Sequence, residues 1–198
     1  MFGCLKKFIF SIIFIFAIIG FISIGGINFF NEFIHNPFKQ PQKTKFEKAS
    51  QIADFSKLDK EFEIVSSSKL PKIGNYVYIK HIVSSQKFYI SIPSNNDILS
   101  KNDFYSKRAE TKILDFIKNL KILQFENFEI KGSSSLNALG QTIPYIKFES
   151  DIVNLPVHGI QGIIGVASKG DKNMIIVSSN TYGKYSQIIT EVLLKELK

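Results

Sequence analysis

From Phe8 to Phe30 the chain reads FIFSIIFIFAIIGFISIGGINFF, about 23 residues without one charged side chain. As a helix this stretch rises roughly 34 Å, enough to cross a hydrocarbon core of about 30 Å. A soluble helix needs a polar face, and this one has none. Ser11, Ser23 and Asn28 are its only clearly polar residues. Serine hydroxyls can bond back to the helix's own carbonyls, so they cost little in lipid. The first expectation is a transmembrane helix over 8–30 that stays on the chain as a signal anchor. The rival reading is a cleaved signal peptide. Lys6 and Lys7 would form its basic segment, Phe8 to Ile22 its apolar core, and Ser23-Ile24-Gly25 the small residues a signal peptidase reads. The anchor is favoured because the apolar run continues through Ile27, Phe29 and Phe30.

The charges beside this stretch set the expected orientation. Lys6, Lys7 and the terminal amine lie close on one side, which predicts a cytoplasmic N-terminus and an extracytoplasmic domain. Lys39, Lys43, Lys45 and Lys48 follow on the other side, but they are farther away and Glu32 and Glu47 offset them. The expected partner is therefore the lipid bilayer, with a protein partner in the membrane or envelope beside it. No GxxxG motif marks helix pairing within the membrane. Cys4 precedes the apolar run, so it is not a lipobox cysteine. As the only cysteine it allows no intrachain disulfide and no cysteine-based zinc site.

The formal net charge is +8, and Arg108 is the only arginine. Bidentate recognition of phosphate and guanine edges favours arginine, so sequence-specific nucleic-acid binding is not expected. The expected organisation is a basic tail over 1–7, the membrane helix over 8–30, a linker over 31–44 and one α+β domain over 45–198. Pro37 and Pro41 interrupt any helix in the linker.

Within the domain, Phe46, Ala49, Ile52, Ala53 and Phe55 are spaced for a short helix between Lys45 and Leu58. Glu61 to Val65, Tyr76 to Val83 and Lys87 to Ile92 read as strands rich in β-branched and aromatic residues. A helix is predicted from Phe104 to Leu120, with Asp103 as its N-cap and Ala109, Ile113, Phe116, Ile117 and Leu120 on one face. Asp115 and Lys118 are a candidate ion pair on that helix. Ile122 to Ile130 reads as a strand, KGSSSLNALGQ after it as a loop, and Tyr145 to Glu149 as a strand. Ile160 to Ala167 and Met174 to Ser178 form a predicted hairpin through SKGDKN. A last helix from Tyr182 to Leu197 is expected to turn Tyr185, Ile188, Ile189, Val192 and Leu193 inward and to pair Glu191 with Lys195.

No strand regularly alternates with a helix, so a parallel sheet is disfavoured. The expected fold class is α+β: a mainly antiparallel sheet of about 6–7 strands covered by 2–3 helices. The order helix, three strands, helix, four strands, helix resembles the α/β/α sandwich of the PsbP and Mog1 group. That resemblance is in element order only, rests on no motif, and carries no function.

No residues in the sequence combine into a catalytic, cofactor or metal site. His35 sits in the linker. His81 lies on a strand and is expected to be hydrogen-bonded within the sheet. His158 follows Pro156 in a loop seven residues after Asp151, and these two are the candidate pair for a hydrolase-like enzyme. Gly159, Gly162 and Gly165 recur in HGIQGIIG, which is neither a dinucleotide fingerprint nor a P-loop. Glycines in such a strand mark bulges or close backbone approach. Glu126 and Glu129 face opposite sides of their strand and make a poor carboxylate pair. The favoured function is a membrane-anchored, extracytoplasmic, non-enzymatic binding or envelope-assembly domain. The alternatives are the tethered hydrolase and a secreted protein.

Overall fold

A computed structural model describes residues 42–70, 74–94, 98–119, 125–152 and 159–197, with the side chains of 70, 116–126 and 152 outside the description. The expected membrane helix over 8–30, most of the linker, His35 and His158 lie outside the described residues. Among the described residues no helix is long and apolar enough to cross a membrane.

Seven strands form one sheet: β1 (Phe62–Leu70), β2 (Gly74–His81), β3 (Lys87–Pro93), β4 (Phe125–Ala138), β5 (Gln141–Ile152), β6 (Ile160–Lys169) and β7 (Lys172–Thr181). Their spatial order is β1-β2-β3-β7-β6-β5-β4, and every neighbouring pair is antiparallel. The described helices are α1 (Gln42–Ala49), α2 (Lys101–Tyr105), α3 (Arg108–Asn119) and α4 (Gln187–Glu196). Helix α1 starts inside the stretch read as linker, three residues ahead of Lys45, and ends at Ala49 rather than near Leu58, so Ile52, Ala53 and Phe55 enter the core from the turns that follow it.

The central strands are apolar on both faces, and side-chain alternation sends successive residues into two separate cores. Phe88, Ile90, Met174 and Ile176 enter one core, where Ala49, Leu193 and Leu194 cover the sheet from α1 and α4. Tyr89, Ile175 and Val177 enter the other, closed by Leu99 and by Ala109 and Ile113 of α3. Both faces of the sheet are thus buried beneath helices.

Four expectations need correction. The helix predicted from Phe104 to Leu120 is two helices, broken where Lys107 adopts φ 58°. Asp103 is not its N-cap. Ser100 holds that position, and its amide and hydroxyl each donate to Asp103 Oδ2 at 2.8 Å. This is a capping box with aspartate in the third position, and it closes a short helix before α3 begins. Third, the KGSSSLNALGQ loop is mostly strand. β4 runs on to Ala138 and turns through Leu139 (φ 54°) and Gly140 (φ 65°), two left-handed residues that make a two-residue type I′ hairpin. Fourth, α4 departs in part from its expected face: Leu193 is buried and Tyr185 and Ile189 pack against the core as expected, but Thr190 and Leu194 are buried where Ile188 and Val192 are exposed. Its expected pair stands, with Lys195 Nζ 3.9 Å from Glu191 Oε2. The hairpin of β6 and β7 is as expected and turns at Gly170, where φ is 61°.

Asp103 is the most buried carboxylate among the described residues, and Lys112 Nζ donates to it at 2.8 Å. Burial alone would raise its pKa. The bonds from Lys112 and from the Ser100 side chain and backbone outweigh that and hold it below the ordinary carboxylate range. A carboxylate with a depressed folded pKa contributes stability that is fully present above about pH 4 and is lost as pH falls through the folded value. Urea midpoints should therefore fall between pH 5 and pH 2. Asp103→Asn should be less stable than the parent at neutral pH and should show a shallower decline across that acid window. An unchanged acid slope in the variant would contradict this assignment.

Candidate functional site

One end of the sheet collects the 82–86 turn between β2 and β3, the start of β6, the end of β7 and the loop into α4. The turn is held by His81. Its Nε2 lies 3.1 Å from Glu61 Oε2, and its Nδ1 accepts from the Ser84 amide at 3.1 Å and lies 2.9 Å from Ser84 Oγ. An amide donor on Nδ1 places the ring proton on Nε2, where it can donate to Glu61. The ring also packs against Phe62 with centroids 4.9 Å apart. The expectation of a buried, hydrogen-bonded histidine is met. Val83, the last residue of the expected strand, is instead exposed because the strand ends at His81.

Serine, histidine and glutamate here stand in the atomic order of a nucleophile, base and orienting acid. The nearby amides are already engaged: the Ser85 amide donates to His81 O at 2.9 Å, and the Gln86 amide to Ser84 Oγ at 3.2 Å. An acyl-transfer site needs open donors for a developing oxyanion. This arrangement is a turn clamp.

A second clamp joins the turn to α4. Gln86 is fully buried. Its Nε2 reaches Ser178 Oγ at 3.1 Å, Ser186 O at 2.9 Å and Thr190 Oγ1 at 2.9 Å, while its Oε1 accepts from the Ser186 amide at 2.8 Å. Asn180 Nδ2 donates to Ser84 O at 3.0 Å and to Lys184 O at 2.9 Å. These bonds fix the turn and the loop into α4 as one body. That body presents apolar side chains to solvent: Ile82 is 54% exposed, Val83 75% and Ile188 74%.

Asp151 sits at the same end of the sheet, on β5. Asn127 Nδ2 donates to its Oδ2 at 3.0 Å, and Tyr182 hydrogen-bonds to it as well. Desolvation, then the charges of Asp151 and Glu149, push the Tyr182 hydroxyl above its ordinary pKa. Lys131 pairs with Glu129 and with Glu149, the latter at 3.2 Å. Hydrogen bonds to these two carboxylates raise its pKa. Asp151 is thus tied into a surface polar network, and its candidate partner His158 lies outside the described residues. The glycine series is legible as close approach. A Cβ on Gly159 would fall 2.0 Å from the Tyr182 ring, and one on Gly162 would fall 2.1 Å from Ser178 O. Gly159→Ala should push Tyr182 off Asp151, seen as a fall in the Tyr182 hydroxyl pKa in a spectrophotometric titration. An unchanged titration would contradict the packing.

Gln86, Asn180 and Thr190 were not singled out by sequence reasoning. Their partners are remote, Thr190 standing 104 residues from Gln86, and no local pattern reports such a network.

No family model and no curated protein matches this chain. Among solved structures, the solution structure of cyanobacterial PsbP (CyanoP) from Synechocystis sp. PCC 6803 is similar, at 10% sequence identity. The match covers 70% of this chain and 82% of that one, with a TM-score of 0.43.

Proposed function

We propose that this chain is a single-pass, membrane-tethered domain, extracytoplasmic in orientation, that binds a protein partner rather than catalysing a reaction. The observation that carries the binding half is the apolar, clamped end formed by Ile82, Val83 and Ile188. Burying such residues on a prefixed surface costs little ordering entropy, and exposed apolar side chains gathered on one body are the ordinary mark of an interaction surface. The tethering half rests on the uncharged stretch over 8–30, and the orientation on Lys6 and Lys7. In this reading the polar clamps are structural: they hold the apolar tip in place.

The test is photocrosslinking in intact cells. A benzoylphenylalanine at Val83 of the full chain should give a discrete covalent adduct. The same group at Ser56, exposed in the segment before β1, should not. Equal yields at both positions would overturn the binding surface.

A further inference from the structure

The two edges of the sheet are guarded differently. β1 carries a bulge between Ile64 and Ser66, a lysine at Lys69, and α1 beside it, where Lys45 O accepts from the Ser67 hydroxyl. Bulges, lysines and covering helices are the usual means by which an edge strand avoids pairing with another chain. β4 forms the other edge and is paired only with β5. Its two bulges, between Glu126 and Glu129 and between Ile130 and Gly132, both lie toward its N-terminal part. From Gly132 to Ala138 it keeps an unbroken register with β5, from Lys147 to Gln141. This stretch reads GSSSLNA and contains no charge and no proline. Ser133, Ser134, Ser135 and Asn137 are exposed, and no described strand or helix pairs with the outer N–H and C=O groups.

We propose that this edge pairs antiparallel with the same edge of a second copy of this chain, about a twofold axis at Ser135, to give a continuous sheet across two molecules. Ser135 is the midpoint of the straight stretch, so a centre there uses all of it. The pairing is isologous, each residue meeting its own counterpart's partner. Ser133 then faces Asn137, two side chains that can hydrogen-bond. Ser134 faces Leu136, and Gly132 faces Ala138. The charge pattern selects the same region. A centre at Lys131 would set two lysines opposite each other, and a centre at Glu129 two glutamates. Like charges directly opposite destabilise a strand pair. About Ser135 the charged residues Glu129 and Lys131 fall outside the paired stretch and keep their partners within the chain. The second copy is favoured over a foreign peptide because the stretch satisfies its own sequence without a charge conflict. The inference rests on the edge alone and stands apart from the proposed partner site.

The experiment uses the full chain in its membrane, in a Cys4→Ser background that leaves no other thiol. Ser135→Cys should give far more covalent dimer than Ser56→Cys on mild oxidation, because the twofold sets the two Cβ atoms directly opposite at about 4.5–5.5 Å, a small backbone adjustment from disulfide geometry. Ser133→Cys and Asn137→Cys chains expressed together should crosslink to each other more than either does to itself. Ser56→Cys should stay monomeric. Adding Ser134→Lys to the Ser135→Cys chain should return it to the Ser56→Cys level. Dimer yield at Ser135→Cys no higher than at Ser56→Cys would overturn the proposal, whether the edge is covered by another part of this chain, by a different protein, or by nothing.

Discussion

Gly162→Ala is expected to destabilise the domain by about 4 kcal/mol or more. Gly162 lies in β6 opposite Ser179 of β7, and a Cβ there would sit 2.1 Å from Ser178 O and 2.9 Å from Ser179 Cα. Both are backbone atoms, so no side-chain rotation relieves the clash. The strands would have to part at the middle of the sheet, where both cores meet β7. Domains of this kind are stable by about 5–15 kcal/mol, so the substitution removes much of the margin. Gly140→Ala is the informative contrast. Gly140 has φ 65° with nothing within 4 Å of an added Cβ, so its cost is conformational only, about 1 kcal/mol. Thermal unfolding should separate the two, since each kcal/mol moves Tm by about 2–4 °C in a domain of this size. Equal shifts would mean that β6 and β7 do not approach as described.

Gln86→Leu is expected to cost about 3 kcal/mol and to loosen the apolar tip at the same time. The side chain has two amide protons and one carbonyl, yet it stands within reach of three acceptors and one backbone donor. Leucine fills the volume but leaves the Ser186 amide and carbonyl without that partner. Ser178 and Thr190 lose less, because their hydroxyls remain 2.8 Å from each other. The cost therefore falls on the junction between the β2–β3 turn and α4. Amide exchange should accelerate at Ser186 and through the first turn of α4, while the β5–β6 ladder keeps its protection. Uniform acceleration across the sheet, or none at all, would contradict a local clamp.

The central strands were legible because each is short, apolar on both faces and rich in β-branched and aromatic residues, as in KFYISI, which suits a strand buried from two sides. The β6–β7 turn was legible through Gly170, and the glycine series through its position in a strand. β4 was misread because its last residues are small and polar. At a sheet edge the strand exists through its ladder with β5, and no apolar alternation reports it. Part of the α4 face departs from the expected one for a related reason. Thr190 looks like a solvent-facing residue, yet it is fully buried because Gln86 and Ser178 satisfy its hydroxyl. Ile188 is pushed outward in consequence. The same long-range network makes Ile82, Val83 and Ile188 a fixed apolar surface, which apolar periodicity alone assigns to a core.

Carbonate washing of membranes, followed by protease treatment of intact and opened cells, tests the tethered, outward-facing domain most directly. The full chain should stay in the washed pellet, and a version beginning at Gln42 should leave it. Protease should remove the domain from cells whose cytoplasmic membrane is intact. Recovery of the full-length chain in the aqueous fraction, or a domain digested only after that membrane is opened, would contradict a tethered, outward-facing domain.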